Sequence, residues 1–337
     1  MVTDRFRIGV VGAGGIAQVA HLPALSRLDD VEVVALCDID VSKARELASR
    51  FGVSDVYDDI EELLKYASPD AVVICTPSHL HEIHALTALS SGVHVLCERP
   101  LALTSQGIRR LVERQELSGK VLMVGMNNRY RSDVQAVRGF LQNGELGRLR
   151  AIRAGWYMFR PSRSALGWRL KRTQAGGGVM LDLGLSLLDL AFWLSGDQKP
   201  VRVSASFSWD DEAPDIEDSG SALIVCESGM SIFVDVSWRY LGASEKFWFE
   251  IFGSEGAASI SPLKVFKEMH GTPVDVSPAG ALARENPFMA SYRAEWASFV
   301  AAAKGQIEAP ALMLQTIAQQ VFEAICKSAE EGREISL

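Results

Sequence analysis

Residues 8–17 read IGVVGAGGIA, a run of branched apolar residues that leads through a glycine-rich turn into a helix-forming segment. The apolar run predicts a buried strand, and the turn has the G-x-G-x-x-A spacing of a dinucleotide-binding fingerprint. The first glycine permits the tight turn, the second lets the backbone approach a pyrophosphate, and the small third residue lets helix pack on strand. Cofactor contacts are therefore predicted at Gly12, Gly14, Gly15, Ile16 and Ala17.

The alternation of apolar runs with helix-forming segments continues to residue 125. Strands are predicted at residues 8–11, 31–36, 71–75, 93–97 and 121–124, with helix-period segments between them. Short apolar strands that alternate with helices indicate a doubly wound parallel sheet, that is, a Rossmann fold.

The second strand runs into Asp38, whose carboxylate can accept hydrogen bonds from the ribose hydroxyls of a bound dinucleotide. Asp40 follows, and no Arg, Lys or Ser stands in the first positions after Asp38, so NAD is favoured over NADP. The alternative is that Asp38 only caps the helix that begins near Ser42.

After residue 125 the sequence pattern changes to longer segments in which apolar and polar residues alternate. Alternating strands are predicted at residues 148–154, 201–207, 221–225, 231–236 and 246–252, which describe an open, mostly antiparallel sheet. Helices are predicted at residues 178–194, 287–303 and 311–331, and residues 262–286 are predicted to form a loop excursion. The fold class is α/β: an N-terminal Rossmann domain followed by a C-terminal α+β domain.

Composition narrows the class of partner. The chain has 337 residues, enough for two domains, and a formal charge of −8, which disfavours nucleic acid and anionic membrane surfaces. The first strand begins too early for a signal peptide, and no apolar run reaches the length of a membrane span, so a cytoplasmic location is predicted. Five cysteines without C-x-x-C spacing predict neither disulfides nor a metal site.

Several motifs occur in the order found in one enzyme family. They are TPSHLH at residues 76–81, CERP at 97–100, NRY at 128–130, GWR at 167–169, and GGG at 176–178 with Asp182 and Gly184 downstream. With these motifs the chain resembles the glucose-fructose oxidoreductase and inositol dehydrogenase (Gfo/Idh/MocA) family.

The resemblance implies a Rossmann domain at residues 1–125, a substrate domain at 126–310, and a C-terminal helix at 311–337 that returns to the first domain. It implies an open sheet that serves as the interface of a homodimer or homotetramer. Substrates would be sugars, polyols or sugar derivatives. It also implies a cis Arg99–Pro100 peptide and further cofactor contacts at Thr76, Pro77, Ser78, His81, Glu98, Arg99, Trp168 and Arg169.

Two catalytic positions depart from the family pattern. Arg99 stands where the family has lysine, and Ser186 stands where it has histidine. Arginine stays protonated and cannot relay a proton, although it can orient a substrate oxygen. The proton acceptor is then one of Asp182, Tyr157, Lys171 and His81. For His81 the alternative is a purely structural role that supports the turn at residues 98–100.

Residues 146–181 contain eight Arg or Lys and no Asp or Glu, although the whole chain is acidic. Arg160, Arg163, Arg169, Lys171 and Arg172 alternate there with aromatic residues. An anionic substrate is one interpretation, because guanidinium groups suit carboxylate and phosphate. A solvated basic loop, or one that contacts the cofactor or another subunit, explains the composition equally well.

The sequence thus predicts an NAD-dependent oxidoreductase of a sugar-like substrate. The alternatives are an NAD-binding sensor or assembly partner without dehydrogenase activity, and redox-neutral chemistry with bound NAD.

Overall fold

The structure is a computed structural model that describes residues 5–159, 166–196, 198–209, 215–278 and 286–337. Arg160 and Arg163 of the basic segment lie outside the described residues. The strands are β1 (Phe6–Val11), β2 (Val31–Cys37), β3 (Asp55–Tyr57), β4 (Ala71–Ile74), β5 (His94–Glu98), β6 (Leu122–Gly125), β7 (Leu149–Tyr157), β8 (Pro200–Trp209), β9 (Glu217–Cys226), β10 (Ser231–Ser237), β11 (Lys246–Gly253), β12 (Gly256–Ile260), β13 (Lys264–Met269), β14 (Thr272–Asp275) and β15 (Ile335–Ser336).

The helices are α1 (Leu22–Leu25), α2 (Val41–Phe51), α3 (Ile60–Glu62), α4 (His81–Ser90), α5 (Ser105–Ser118), α6 (Ser132–Gln142), α7 (Arg172–Ala175), α8 (Leu185–Ser195), α9 (Pro287–Ala303) and α10 (Met313–Glu331). Shorter helical segments occupy Ala17–His21, Leu63–Ala67, Ser78–Leu80, Asn127–Tyr130, Gly167–Leu170 and Met180–Gly184. Each of the two units described below has its own hydrophobic core.

The first unit contains a six-stranded sheet in the order β3-β2-β1-β4-β5-β6. Every strand pair in it is parallel, and this order is that of the Rossmann fold. The central strands are buried on both faces because helices cover the sheet on each side, which explains their continuous apolar runs. The five strands predicted for this region are confirmed to within two residues at each end.

The helix that returns to the first unit is α9, not the C-terminal helix. The first unit comprises the chain up to Tyr130 together with α9, whereas the second comprises the chain from Arg131 onward with Leu314–Leu337. The aromatic residues Trp296 and Phe299 of α9 are fully buried in the core of the first unit. In α10, Gln315 donates instead to Asp189 of α8. The predicted boundary at residue 311 and the predicted return of residues 311–337 are therefore wrong.

The second unit contains a nine-stranded sheet in the order β14-β13-β12-β11-β7-β10-β9-β8-β15. Only β7 and β10 pair in parallel among these strands, so the prediction of a mostly antiparallel sheet is confirmed. Alternate residues such as Ile152, Ala154 and Val234 are fully buried. Helix α8 packs on β7 and β10, and the opposite face of the sheet carries the more exposed residues.

The loop predicted at residues 262–286 is wrong for much of its length, because β13 and β14 form a hairpin there. His270 and Gly271 connect the two strands with positive φ values of 53° and 76°. Two consecutive positive φ values match the preferred two-residue hairpin turn, in which Asn-Gly is the usual sequence. Histidine in the first position hid this turn. Residues 279–285 lie outside the described part of the chain.

Within the described residues, one stretch, Arg172–Ser195, has the length and mean hydropathy of a membrane span. Most of it is buried inside the second unit, with Leu187, Leu188 and Leu190 fully enclosed. A helix that is apolar on all sides is expected when it forms the core of a domain. The packing of α8 therefore accounts for the hydropathy of this stretch.

Candidate cofactor and catalytic site

The glycine turn at the end of β1 has the local geometry of a pyrophosphate-binding turn. Gly12 has a φ of +99°, and a Cβ there would lie 2.7 Å from the Cys75 carbonyl oxygen, so only glycine fits. A Cβ on Gly14 would lie 3.7 Å from the same oxygen, and one on Gly15 would have no neighbour within 4 Å. The outer side of the turn is therefore open. The first N–H groups of the helix that follows have no partner inside the helix and favour an anion.

Asp38 is anchored to this turn by both carboxylate oxygens. Oδ2 accepts from the Ala13 N–H at 2.7 Å, and Oδ1 accepts from the Asp40 N–H at 3.0 Å. Each oxygen keeps a second lone pair for a hydroxyl donor. The residue that caps α2 is Asp40, which accepts from the Lys43 N–H, so the alternative role for Asp38 as that cap is wrong.

The Lys43 ammonium lies 3.6 Å from Asp38 Oδ2. The sequence interpretation missed this cation because it considered only the positions directly after Asp38. One turn into α2, the lysine side chain reaches back to the end of β2. The region that receives the adenosine ribose in a Rossmann fold thus contains an ammonium group beside the Asp38 carboxylate.

The remaining predicted cofactor residues of the first unit lie at the same edge of the sheet. Thr76, Pro77 and Ser78 follow β4, and Glu98 with Arg99 ends and follows β5. Because β2, β1, β4 and β5 are neighbours and parallel, their carboxyl ends meet where such sheets bind ligands. The Arg99–Pro100 peptide bond is cis, as predicted.

His81 is a structural residue of this edge. Its side chain is buried, with Nδ1 2.7 Å from the Pro100 carbonyl oxygen and Nε2 2.8 Å from the Thr76 carbonyl oxygen. Burial lowers the pKa of His81, although the two carbonyl contacts act to raise it. Both ring nitrogens face the backbone, so the residue supports the turn at residues 98–100 and is not placed to accept a substrate proton.

Sequence interpretation missed a second histidine, His21, which is fully buried. Its Nε2 lies 2.8 Å from Glu98 Oε1, at the end of β5. Burial raises the pKa of Glu98, but the His21 hydrogen bond and nearby positive charge outweigh it and leave that pKa below its usual value. The sequence contains one signal for His21: a histidine stands within the mostly apolar segment at residues 17–25, and a buried imidazole needs a hydrogen-bond partner.

In the second unit, the carboxylate of Asp182 is contacted by Trp238 and Arg169, which belong to different elements. Trp238 of the segment after β10 donates its indole N–H to Oδ2 at 3.1 Å, and Arg169 Nε lies 3.5 Å from Oδ1. The Arg169 guanidinium also stacks over Trp168, 4.7 Å from the ring centroid. Ser186 lies one helical turn after Asp182 and is buried. The structure thus brings Trp168, Arg169 and Asp182 together.

The segment that carries Asp182 is itself fixed by Glu217. Glu217 Oε1 accepts from the backbone N–H groups of Gly178 at 2.8 Å and Met180 at 3.3 Å. Burial raises the pKa of Glu217. A Cβ on Gly178 would lie 2.1 Å from the Glu217 carbonyl oxygen, which explains a glycine at this position.

Tyr157, the second sequence candidate for the proton acceptor, does not join Asp182. In β7 it lies on the open face of the sheet, where its hydroxyl donates to Asp235 and its ring packs on Trp248 at 4.9 Å. Burial and the Asp235 contact raise the pKa of Tyr157 to about 12. Asp182 belongs to the helical layer on the other face. A shift of one position along a strand reverses the face of a side chain.

The remaining cations of the basic segment separate. The Lys171 side chain is exposed beside the short helical segment that holds Trp168 and Arg169. Arg172 lies 3.4 Å from Glu330 of α10 and so has an acidic partner within its own unit. Among the described residues of the basic segment, Arg169 is the cation in contact with Asp182.

The chain is similar over most of its length to several known proteins. D-Glucoside 3-dehydrogenase of Escherichia coli (strain K12) is 28% identical over 100% of this chain and 99% of that protein. D-Apiose dehydrogenase of Paraburkholderia graminis is 32% identical over 76% of this chain and 68% of that protein. The crystal structure of GenD2 from gentamicin A biosynthesis in complex with NAD has a TM-score of 0.87 and 25% identity, covering 100% of this chain and 97% of that one.

Two family descriptions match successive parts of the chain. Residues 6–126 match the oxidoreductase family with an NAD-binding Rossmann fold, and residues 134–259 match the GFO/IDH/MocA C-terminal domain. These ranges contain the glycine turn with Asp38 and the segment with Asp182. The chain belongs to the Gfo/Idh/MocA family of NAD-binding oxidoreductases.

Proposed function

We propose that the protein is an NAD-dependent dehydrogenase that oxidises a secondary hydroxyl group of a sugar, polyol or sugar derivative. The observation that carries this proposal is the carboxylate of Asp182, which is fixed by Trp238 and Arg169 in a chain that lacks the usual lysine and histidine. Relatives whose names include glucoside and apiose dehydrogenase support the substrate class.

Bound NAD supplies the hydride acceptor, the C4 atom of its nicotinamide ring. The open glycine turn and Asp38 would hold the dinucleotide, because the first N–H groups of the helix after the turn favour an anion such as its pyrophosphate. Asp182 accepts the proton of the substrate hydroxyl. Unlike Arg99 and Ser186, its carboxylate can both gain and lose a proton. Arg99 remains a cation and donates hydrogen bonds to a substrate oxygen, where it stabilises developing negative charge. Ser186 contributes a hydroxyl for orientation.

An anionic substrate group is part of the proposal. Lys171 is exposed and Arg169 adjoins Asp182, whereas Arg172 has Glu330 as its partner. Lys171 is therefore the cation that we assign to a carboxylate or phosphate on the substrate. A fork-shaped guanidinium at Arg169 and the Trp168 ring beside it suit the sugar portion.

We further propose a cytoplasmic homodimer or homotetramer that uses the open face of the nine-stranded sheet. Leu223 on β9, Phe233 on the adjacent β10 and Phe252 on β11 are 42%, 39% and 37% exposed on that face. Exposed apolar groups that adjoin on one surface are typical of protein interfaces. Light scattering coupled to size-exclusion chromatography would measure the oligomeric state. We expect a dimeric or tetrameric mass for the wild-type protein and a monomeric mass for Phe233→Lys.

The direct test of function is NADH formation by purified protein with NAD and a substrate panel. The panel pairs neutral polyols and sugars with the corresponding sugar acids and sugar phosphates. Turnover on one series, with loss of activity in Asp182→Asn, is the expected outcome. Retained turnover in Asp182→Asn would overturn the assignment of the proton acceptor.

One observation favours a second candidate, an NAD-binding protein without dehydrogenase activity: Arg99 and Ser186 replace both of the family's usual proton-carrying groups. Saturable NADH binding together with no turnover across both panel series would favour this candidate.

A further inference from the structure

The carboxylate of Glu98 is held by groups from three parts of the first unit. Oε1 lies 2.8 Å from His21 Nε2 and accepts from the Tyr292 hydroxyl at 3.4 Å, and Oε2 accepts from the Arg99 backbone N–H at 3.3 Å. A Cβ on Gly125 would lie 3.2 Å from Glu98 Cδ, so the neighbouring strand β6 leaves the space that this carboxylate occupies. The group therefore connects buried core residues to the backbone of the turn that carries Arg99.

Trp296 determines the protonation pattern of His21. Its indole N–H donates to His21 Nδ1 at 3.1 Å, and an indole nitrogen can only donate. Nδ1 must therefore offer a lone pair, and the single ring proton lies on Nε2, where it is donated to Glu98. The rings of Tyr292 and Trp296 meet His21 edge to face, with centroid distances of 5.2 and 5.8 Å. Both the tautomer and the orientation of His21 are fixed.

This arrangement differs from a proton relay. A second proton on His21 would have to enter at Nδ1 and displace the Trp296 donor inside a closed core. The neutral imidazole instead acts as a rigid donor to an ionised carboxylate, and hydrogen bonds to a charged group are among the stronger ones in proteins. On the far side of the same turn, His81 Nδ1 lies 2.7 Å from the Pro100 carbonyl oxygen. The backbone at Arg99 is thus held from both flanks.

We propose that His21 is a positioning residue, fixed by Trp296 as its Nε2–H tautomer, which holds Glu98 and through it the backbone of Arg99. It moves no proton during the reaction. The catalytic consequence rests on the proposed function, which assigns the Arg99 guanidinium to the substrate oxygen. The structural consequence, an ordered Arg99 N–H, does not.

Two amide variants separate the two hydrogen bonds of the imidazole. In His21→Gln the side-chain nitrogen can take the place of Nε2 and donate to Glu98. In His21→Asn the side-chain oxygen can take the place of Nδ1 and accept from Trp296, but no donor reaches Glu98. His94→Asn is the control: His94 lies at the opposite end of β5, and its Nδ1 accepts from the Val121 N–H, a bond that an asparagine oxygen can keep.

Amide hydrogen exchange at Arg99 is the first measurement. We expect exchange at least about tenfold faster in His21→Asn, and within about threefold of wild type in His21→Gln and His94→Asn, where tenfold corresponds to about 1.4 kcal/mol. On an identified substrate, kcat should fall by a similar factor in His21→Asn and recover in His21→Gln. The dissociation constant for NADH should stay within about threefold in both variants. Equal behaviour of the two amide variants, or unchanged exchange in His21→Asn, would overturn the proposal.

Nitrogen-15 spectra of histidine-labelled wild-type protein give an outcome that requires neither a variant nor activity. A non-protonated Nδ1 and a protonated Nε2 are expected for His21, and the opposite tautomer or an imidazolium at neutral pH would refute the proposal. If His21→Asn does not fold, Trp296→Phe takes its place as the test variant. It removes the donor to Nδ1 and should accelerate amide exchange at Arg99. A wild-type protein without turnover would count against the proposed function alone, since exchange and tautomer are still measured.

Discussion

Gly14→Ala places a methyl group on the open side of the cofactor turn, 3.7 Å from the Cys75 carbonyl oxygen, which is an ordinary contact distance. The folded chain accommodates it, and an alanine in a compatible conformation changes stability by about 1 kcal/mol or less. A pyrophosphate that approaches the backbone meets the methyl group instead. Loss of one hydrogen bond to a charged group costs about 1.5 to 3 kcal/mol, so the dissociation constant for NADH should rise about 10- to 150-fold.

Two neighbouring glycines provide matched controls. Gly12→Ala forces a side chain into a φ of +99° and to 2.7 Å from the Cys75 carbonyl oxygen. Backbone strain of about 1 to 2 kcal/mol and overpacking of about 1 to 3 kcal/mol should lower the unfolding midpoint by at least about 4 °C. Gly15→Ala has no neighbour within 4 Å and should change neither property much.

The assay pairs thermal unfolding of each apo variant with a fluorescence titration by NADH. Unchanged NADH affinity in Gly14→Ala would refute the assignment of this turn to the pyrophosphate. A loss of stability in Gly14→Ala as large as that in Gly12→Ala would refute the separation between the two positions.

Asp182→Asn should lower kcat by about 10²- to 10⁴-fold, because a general base contributes about that factor, and should leave NADH affinity within twofold. Steady-state kinetics measures the loss, with Asp189→Asn, at another buried aspartate, as the control. Equal losses of kcat in the two variants would contradict the prediction. NADH should bind at least about tenfold more tightly than NADPH. Lys43→Met should widen that ratio of affinities, since the ammonium 3.6 Å from Asp38 would otherwise attract a 2′-phosphate. Titration calorimetry with both cofactors measures the ratio, and an unchanged ratio in Lys43→Met would show that Lys43 does not contact the 2′-phosphate. Burial lowers the pKa of His84 to about 4, so the unfolded chain alone binds its proton between about pH 6.5 and 4 and the folded state loses stability as pH falls through that range. His84→Gln should weaken this loss, and parallel unfolding midpoints of wild type and variant between pH 7 and pH 4.5 would refute it.

Local patterns explain what the sequence predicts well. The strands of the first unit are continuous apolar runs, and a buried parallel strand imposes that pattern on its own residues. The glycine turn and Asp38 belong to a single β-α-β segment, in which spacing along the chain determines geometry. A positive φ at Gly12 is a requirement of the turn itself. Such features need no knowledge of distant residues.

Side-chain partners from distant segments account for the missed features. The Glu98 carboxylate meets His21 across 77 positions of sequence, and His21 meets Trp296 across 275. No periodicity relates these residues. The misassignment of α9 and α10 has the same cause, because both are amphipathic or apolar helices that either core could bury. Only the packing of Trp296 and Phe299 in the first unit decides the question.

Tyr157 and Asp182 lie on opposite faces of the nine-stranded sheet. Both residues are sequence candidates for the proton acceptor because Arg99 and Ser186 replace the usual proton-carrying groups. In the structure, β7 directs Tyr157 to the open face, where Asp235 accepts from its hydroxyl, whereas Asp182 lies in the helical layer beneath Trp238. Burial and the Asp235 contact raise the pKa of Tyr157 to about 12, which makes this hydroxyl a poor proton acceptor near neutral pH. Both nitrogens of His81 likewise face backbone carbonyls, and this is why our proposal gives the proton of the substrate hydroxyl to Asp182.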